Sequence, residues 1–177
     1  MRLAFYILLC STQWLFAQID SDIVPVEISL PQIALLDIED GSPVILNQIN
    51  PTEAGNQPGF ESNSIQWINF TSAVSTGTTR NITAAIEGGS IPSGIALQLT
   101  LSGYSGTGEG NLGTPTGGAI TLTTSPQDII TAIGGAYTGN GTGNGYQVIY
   151  SILLSDISLL TSTASTSFDV VYTMTSL

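Results

Sequence analysis

The chain has 177 residues, in which Lys and Arg total 2, Asp and Glu total 13, and His is absent. This length suits one domain with a hydrophobic core of its own. The net charge of −11 repels phosphate backbones, which excludes nucleic acid as a partner, and it disfavours binding to anionic membranes. Charged residues make up only 8 %, so Ser, Thr, Asn, Gln and Gly must supply the polar surface, a balance that favours β-sheet over helix.

Residues 1–17 have the pattern of a signal peptide. Arg2 supplies a basic start, an apolar stretch follows, and the small residue Ala17 precedes the expected cleavage point. The apolar stretch is shorter than the roughly 20 residues of a membrane anchor, and the bulky residue before Cys10 disfavours a lipoprotein cut there. The sequence therefore predicts a secreted or cell-surface protein with no membrane span after cleavage, whose mature part has Arg80 as its one basic side chain.

Residues 18–62 predict a group of N-terminal strands followed by a loop. Residues 23–30 alternate between apolar and polar or proline positions, and Pro25 and Pro31 cannot donate to a strand ladder. The segment is therefore predicted to be an edge strand or an extended arm. Its apolar face is the candidate surface for strand exchange and consists of Val24, Val26, Ile28 and Leu30. Further predictions are strands at residues 33–38 and 44–49 and a loop rich in Pro and Gly at 50–62.

Residues 63–177 predict the main body of the same domain. Strands are expected at residues 65–74, 81–87, 95–102, 119–124, 146–154 and 168–175. Residues 95–102 alternate most strictly, which directs Leu97, Leu99 and Leu101 inward. The last strand places four apolar side chains on one face, namely Phe168, Val170, Tyr172 and Met174.

One short helix is predicted in this body. Ser125 and Pro126 resemble an N-cap and first helical position, and Asp128 adds an acid to the first turn, which together favour a helix over residues 125–133. Glycine-rich residues 103–118 predict a long, exposed and mobile loop, and residues 137–145 predict a second glycine-rich loop. About nine short strands with one short helix indicate an all-β fold, either an immunoglobulin-like sandwich or a Greek-key arrangement.

The sequence argues against an enzyme and against bound metals or cofactors. Without His, Lys or a Cys in the mature part, the usual bases, nucleophiles and zinc ligands are missing, although a carboxylate pair for glycoside hydrolysis remains a minor alternative. Residues 108–113 match the dinucleotide pattern G-x-G-x-x-G, but Pro115 and a strand follow where that motif needs a helix. Calcium bound by Asp37, Glu39 and Asp40 is less favoured than an ordinary solvated turn.

Three tyrosines beside the glycine-rich loops are candidate contacts for a carbohydrate ligand, namely Tyr104, Tyr137 and Tyr146. The other interpretation is that these rings pack against the ends of the sandwich. Three glycosylation sequons begin at Asn69, Asn81 and Asn140, and the first two fall within predicted strands.

The C-terminal part, from about residue 65, resembles small secreted domains related to bacterial fimbrial subunits and spore-coat-U-type pilins. Three stretches carry the resemblance: Trp67-Ile68-Asn69-Phe70, residues 95–101, and residues 168–173. The resemblance implies an immunoglobulin-like sandwich that polymerises by donating a strand to a neighbour. The chain departs from many such domains because its mature part cannot form a disulfide.

Two functions are consistent with these features. The first is a structural or adhesive subunit at a cell surface, self-associating or joining related subunits through strand exchange. The alternative is a monomeric extracellular binding module, with carbohydrate as its ligand.

Overall fold

The protein is an all-β sandwich, described as a computed structural model over residues 22–163 and 165–176. The expected signal peptide, residues 1–17, lies outside the described residues. The chain divides into an N-terminal segment that ends at Leu30 and a body, Pro31–Leu177. The strands are β1 (Ile33–Glu39), β2 (Gln48–Ile49), β3 (Gly59–Phe60), β4 (Ser62–Ala73), β5 (Arg80–Glu87), β6 (Ile95–Leu101), β7 (Glu109–Gly110), β8 (Thr114–Pro115), β9 (Ile120–Thr121), β10 (Gln127–Ile133), β11 (Ala136–Tyr137), β12 (Tyr146–Leu154) and β13 (Asp169–Ser176).

The strands form two main antiparallel sheets. The first has the order β7-β11-β4-β12-β6-β9, with β1 on the other edge of β4, and the second has the order β13-β5-β10-β8. Strands β2 and β3 form a separate hairpin. Because β4 has 12 residues, β12 and β11 pair one after the other along the same edge, opposite β1.

The two main sheets share one hydrophobic core. Ile68, Leu99 and Val148 from the first sheet and Ile82 and Ile130 from the second are all fully buried and belong to one cluster. Two sheets that bury their facing side chains in this way form a sandwich. The predicted all-β sandwich is confirmed.

The two strands with the clearest alternation form as predicted. In β6, Leu97, Leu99 and Leu101 are buried while the residues between them are half-buried. In β13 the predicted apolar face packs against the core through Val170, Tyr172 and Met174, together with Phe168 just before the strand. A period of two places alternate side chains on one face, which the core then covers.

The helix predicted at residues 125–133 is wrong, because this stretch forms strand β10 between β5 and β8. The pairing with β5 shifts register between Asp128 and Ile130 and again before Ile133. Ala132, inside the second shift, has a φ of 59°. These bulges put Ile129, Ile130 and Ile133 all in the core, a spacing that resembles a helical face.

The glycine-rich residues 103–118 are not one unstructured loop, in contrast to the prediction. They contain β7, which pairs with β11, and β8, which pairs with β10. At Gly108 the chain passes so close to β11 that an added Cβ would lie 2.0 Å from the carbonyl oxygen of Tyr137. Glycine is therefore needed here for close backbone packing. Very short strands such as β7 and β8 raise the number of strands from the predicted nine or so to the thirteen found among the described residues.

Some predicted strands are shorter than expected or do not form. Residues 22–32 contain no strand, so residues 23–30 are not an edge strand of the described structure. The strand predicted at 44–49 is reduced to β2, and the one at 119–124 is reduced to β9. The loop predicted at 50–62 ends early because β3 forms within it.

One hydrogen bond joins the two main sheets through side chains. The hydroxyls of Tyr150 on β12 and Tyr172 on β13 are hydrogen-bonded to each other. Burial raises the pKa of Tyr172, and the nearby Tyr150 raises it further. Burial also raises the pKa of Tyr150, although its hydrogen bond with Tyr172 partly lowers it.

This tyrosine pair is expected to make the fold sensitive to alkali. Above a pH of about 10, unfolded tyrosines lose their protons while the folded pair keeps them, so stability is intact below that pH and falls above it. The loss is expected to approach about 1.4 kcal/mol per pH unit for each tyrosine. Urea unfolding of the parent between pH 8 and 11 should show this decline, and the double variant Tyr150→Phe/Tyr172→Phe should show a smaller one. The exposed Tyr137→Phe serves as control, and an equally steep decline in the double variant would contradict the assignment.

Candidate functional site

A cleft lies on the first sheet where β1, β4 and β11 run side by side. It has a volume of about 470 Å³, and the loop that follows β11 closes one side. The side chains of Ile68 and Phe70 on β4 enter the core, so the alternate positions Asn69 and Thr71 lie on the outer face. We call this feature the outer cleft, and the lining residues that matter for its chemistry are Leu35, Asp37, Asn69, Thr71, Tyr137 and Asn140.

The strand register brings these side chains together from distant parts of the chain. Leu35, Thr71 and Tyr137 are direct cross-strand partners on β1, β4 and β11. Asp37 is the direct partner of Asn69 in the neighbouring row. Cross-strand partners on one face have Cβ atoms about 4.5–5.5 Å apart. The cleft therefore combines apolar, aromatic, amide and carboxylate groups within the reach of one small ligand.

Asn69 forms a buried polar floor in the outer cleft. The residue is 4 % exposed, and its Nδ2 donates a hydrogen bond of 2.7 Å to the carbonyl oxygen of Asn144. Its Oδ1 is buried and has no hydrogen-bond partner among the described residues. A buried acceptor without a donor costs about 1–3 kcal/mol. Because this oxygen is closed off from solvent, a ligand in the cleft reaches it only if Asn69 or its neighbours move.

The loop that closes the cleft is held in place at both of its ends. Thr138 is fully buried. The amide of Phe70 donates to Thr138 Oγ1 over 2.9 Å, and the amide of Thr138 donates to the carbonyl of Phe70 over 3.0 Å. At the other end, Asn144 donates through Nδ2 to the carbonyl of Asn140 over 2.8 Å and accepts the amide of Thr107 over 3.2 Å. These bonds fix the exposed Asn140 at the cleft rim.

The three candidate tyrosines have different positions. Tyr137 is 45 % exposed and lines the outer cleft. Tyr104 is half-buried, and its hydroxyl donates to the carbonyl of Thr138 over 3.1 Å. Tyr146 is 1 % exposed and is not among the residues that line the outer cleft.

Tyr146 belongs to the core for reasons of aromatic packing. Its ring is stacked on Phe70 with the centroids 6.3 Å apart, and it meets Tyr104 edge-on at 5.8 Å. Its hydroxyl donates to the carbonyl of Leu112 over 3.1 Å. Burial raises the pKa of Tyr146, and the nearby Tyr104 raises it further. Of the three rings, Tyr137 is the one that a ligand in the outer cleft can reach.

The sequence indicated only part of this cleft. The signal for Tyr137 was an aromatic residue beside a glycine-rich loop. Leu35, Asp37 and Thr71 had no ligand-binding signal because their meeting depends on the pairing of β1 and β11 with β4. Two sequon residues, Asn69 and Asn140, line the same cleft, but only Asn140 is exposed.

The N-terminal segment is a second candidate functional feature. Residues 22–30 are all exposed. In the predicted strand-exchange face, the exposed fraction is 77 % for Val24, 79 % for Val26, 76 % for Ile28 and 88 % for Leu30. Side chains of these types are normally among the most buried in a folded protein. We call residues 23–30 the arm.

Comparison of the chain with protein-family models, with curated proteins and with solved structures gave no match.

Within residues 22–163 and 165–176, no helix has the length and apolar character needed to cross a membrane. In the same part of the chain, no three His, Cys, Asp or Glu side chains are grouped so that they could hold a metal ion, and this includes Asp37, Glu39 and Asp40.

Proposed function

We propose that this protein is a secreted or cell-surface structural subunit that assembles by adding its arm, residues 23–30, to a sheet edge of another copy. The observation that carries the proposal is the exposure of the arm's apolar side chains, from 76 to 88 %. Burying one side chain of this size contributes roughly 1.5–3 kcal/mol. An alternating segment without a strand partner is suited to pair with another chain.

The sheet edges of the body support the same proposal. Strand β1 is paired on one side with β4, and no other described strand pairs with its outer edge. Edge strands in soluble proteins are commonly protected against pairing by lysine or proline. No lysine occurs in this chain and β1 contains no proline, so Asp37 and Glu39 are the charged side chains on this edge strand. An arm from a second copy would find main-chain donors and acceptors there.

The remaining sequence features fit a role outside the cell. A signal peptide at residues 1–17 would export the chain, and a surface of hydroxyls and amides with few charges suits contact with other copies. The absence of His and Lys leaves few groups for catalysis, so the proposed role is structural or adhesive rather than enzymatic. A monomeric binding module is the alternative that the following experiment separates.

The test changes the arm without changing the body. The double variant Val26→Asp/Ile28→Asp places two carboxylates on the apolar face, where both side chains are exposed in the isolated chain. We expect it to remain folded and to become monomeric, because pairing would bury unpaired charges at a cost of several kcal/mol. Sedimentation velocity of the parent and the variant at equal concentrations measures the loss of assemblies.

The matched control is Ser29→Asp, which adds a carboxylate at an exposed position on the opposite face of the arm. This variant should assemble like the parent. A chain that begins at Pro31 should be monomeric, and a synthetic peptide of residues 23–31 should bind to it. The proposal is overturned if the parent is a monomer at all concentrations, or if Val26→Asp/Ile28→Asp assembles as well as Ser29→Asp.

A further inference from the structure

We propose that the outer cleft is a binding site for a neutral saccharide. The proposal goes beyond the assembly function and does not depend on it, because all of the residues concerned belong to the body. The volume of about 470 Å³ lies within the range of roughly 300–1,000 Å³ that is typical of small-molecule sites.

The apolar side of the cleft suits the C–H face of a sugar ring. Tyr137 is 45 % exposed and Leu35 is 63 % exposed, and both are cross-strand partners of Thr71. An aromatic ring offers a flat apolar surface that remains partly accessible, and its hydroxyl adds a polar end. A pyranose ring stacked on Tyr137 would cover exposed apolar area that the sheet itself leaves in water.

The polar groups of the cleft match sugar hydroxyls, which both donate and accept hydrogen bonds. The carboxylate of Asp37 accepts, while the amide of Asn140 and the hydroxyl of Thr71 can do either. A ligand with several hydroxyl groups could satisfy these acceptors together, which an apolar ligand could not.

The charge of the cleft decides between neutral and anionic sugars. No Lys or Arg lines it, and Asp37 is its one charged lining residue. Glu109 on β7 is the cross-strand partner of Tyr137 and adds a second carboxylate beside this row. An anionic sugar would meet repulsion without a compensating cation. A calcium ion would need more carboxylate ligands than the lining supplies.

The test measures binding of named probes to the full chain. Neutral oligosaccharides of glucose, mannose and N-acetylglucosamine, together with a sulfated heparin oligosaccharide and calcium chloride, are titrated and followed by amide chemical shifts in ¹⁵N-labelled protein. We expect at least one neutral oligosaccharide to bind with shifts centred on the outer cleft. Heparin oligosaccharide and calcium should leave these amides unchanged.

Variants then connect the binding to the cleft. Tyr137→Ala should weaken the binding of the same oligosaccharide by about tenfold or more, because exposed aromatic contacts dominate such sites, and Asp37→Ala should weaken it severalfold. The control is Leu153→Ala on β12, which removes an apolar side chain of nearly equal exposure, 44 % against 45 %, outside the cleft. The proposal is overturned if no neutral probe binds at 10 mM, if calcium or heparin binds at the cleft instead, or if Tyr137→Ala binds as well as Leu153→Ala.

Discussion

Replacing Leu99 with aspartate is expected to unfold the body. Leu99 is fully buried in the first sheet, where β6 lies between β12 and β9 and the direct partners of Leu99 are Tyr150 and Ile120. A carboxylate at this position would be buried without a counter-charge, which costs several kcal/mol. A domain of this size has a total stability of about 5–15 kcal/mol. Circular dichroism of Leu99→Asp should show loss of the sheet spectrum at 25 °C.

The control for this prediction is the neighbouring residue. Gln98 is half-buried, and its side chain lies on the face opposite to that of Leu99. Gln98→Asp should retain the sheet spectrum and unfold cooperatively, with a stability within about 0.5 kcal/mol of the parent, as is usual for substitutions outside the core. If both variants lose the same amount of stability, the assignment of the two faces of β6 is wrong.

The sequence predicted strands correctly where local alternation coincided with burial. Strands β6 and β13 each have one face in the core, so the alternation of their apolar residues with a period of two follows directly from the fold. In β10, two register shifts break the alternation, and the capping residues Ser125 and Pro126 precede a strand. Bulges depend on the partner strand, which a local pattern does not contain.

The arm illustrates a different limit. Its alternation is as regular as that of a strand, but no strand forms over residues 22–32. Alternation indicates that a segment can bury one face, and pairing also requires a free edge in register. Under the proposed assembly, that edge belongs to another copy, so the sequence of one chain specifies the arm's capacity to pair but not its partner.

The candidate site was predictable only in its aromatic component. Tyr137, Tyr104 and Tyr146 all lie beside glycine-rich loops, and their local sequences did not distinguish exposed from buried rings. Tyr146 is buried because it starts β12 on the core face and stacks on Phe70, a residue far away in the chain. The other cleft residues meet through the pairing of β1 and β11 with β4, which is long-range information.

The loop that closes the outer cleft contains two glycines at which an added Cβ would have different costs. At one the cost is backbone strain alone, and at the other a steric clash is added. Gly143 and Gly145 have the same φ of 86°, which disfavours any residue with a Cβ. At Gly143 an added Cβ would meet no atom within 4 Å. At Gly145 it would lie 2.0 Å from the carbonyl oxygen of Ile68 and 3.0 Å from Nδ2 of Asn69. The backbone of Gly145 is also held on both sides by Ser105, with hydrogen bonds of 2.7 and 3.0 Å.

Gly145→Ala is therefore expected to cost much more stability than Gly143→Ala. The control variant Gly143→Ala should lose only the stability that a left-handed backbone costs a residue with a Cβ, about 1–2 kcal/mol. Gly145→Ala should lose this amount and a further 1–3 kcal/mol or more, because the clash is with backbone that cannot rotate away. Thermal unfolding measures the difference, which corresponds to roughly 2–4 °C for each kcal/mol in a domain of this size. Equal midpoints for the two variants would mean that the loop moves away from β4 at little cost. In that case Asn69 would not be held by the carbonyl of Asn144, and the floor of the outer cleft would not be the preformed surface that saccharide binding requires.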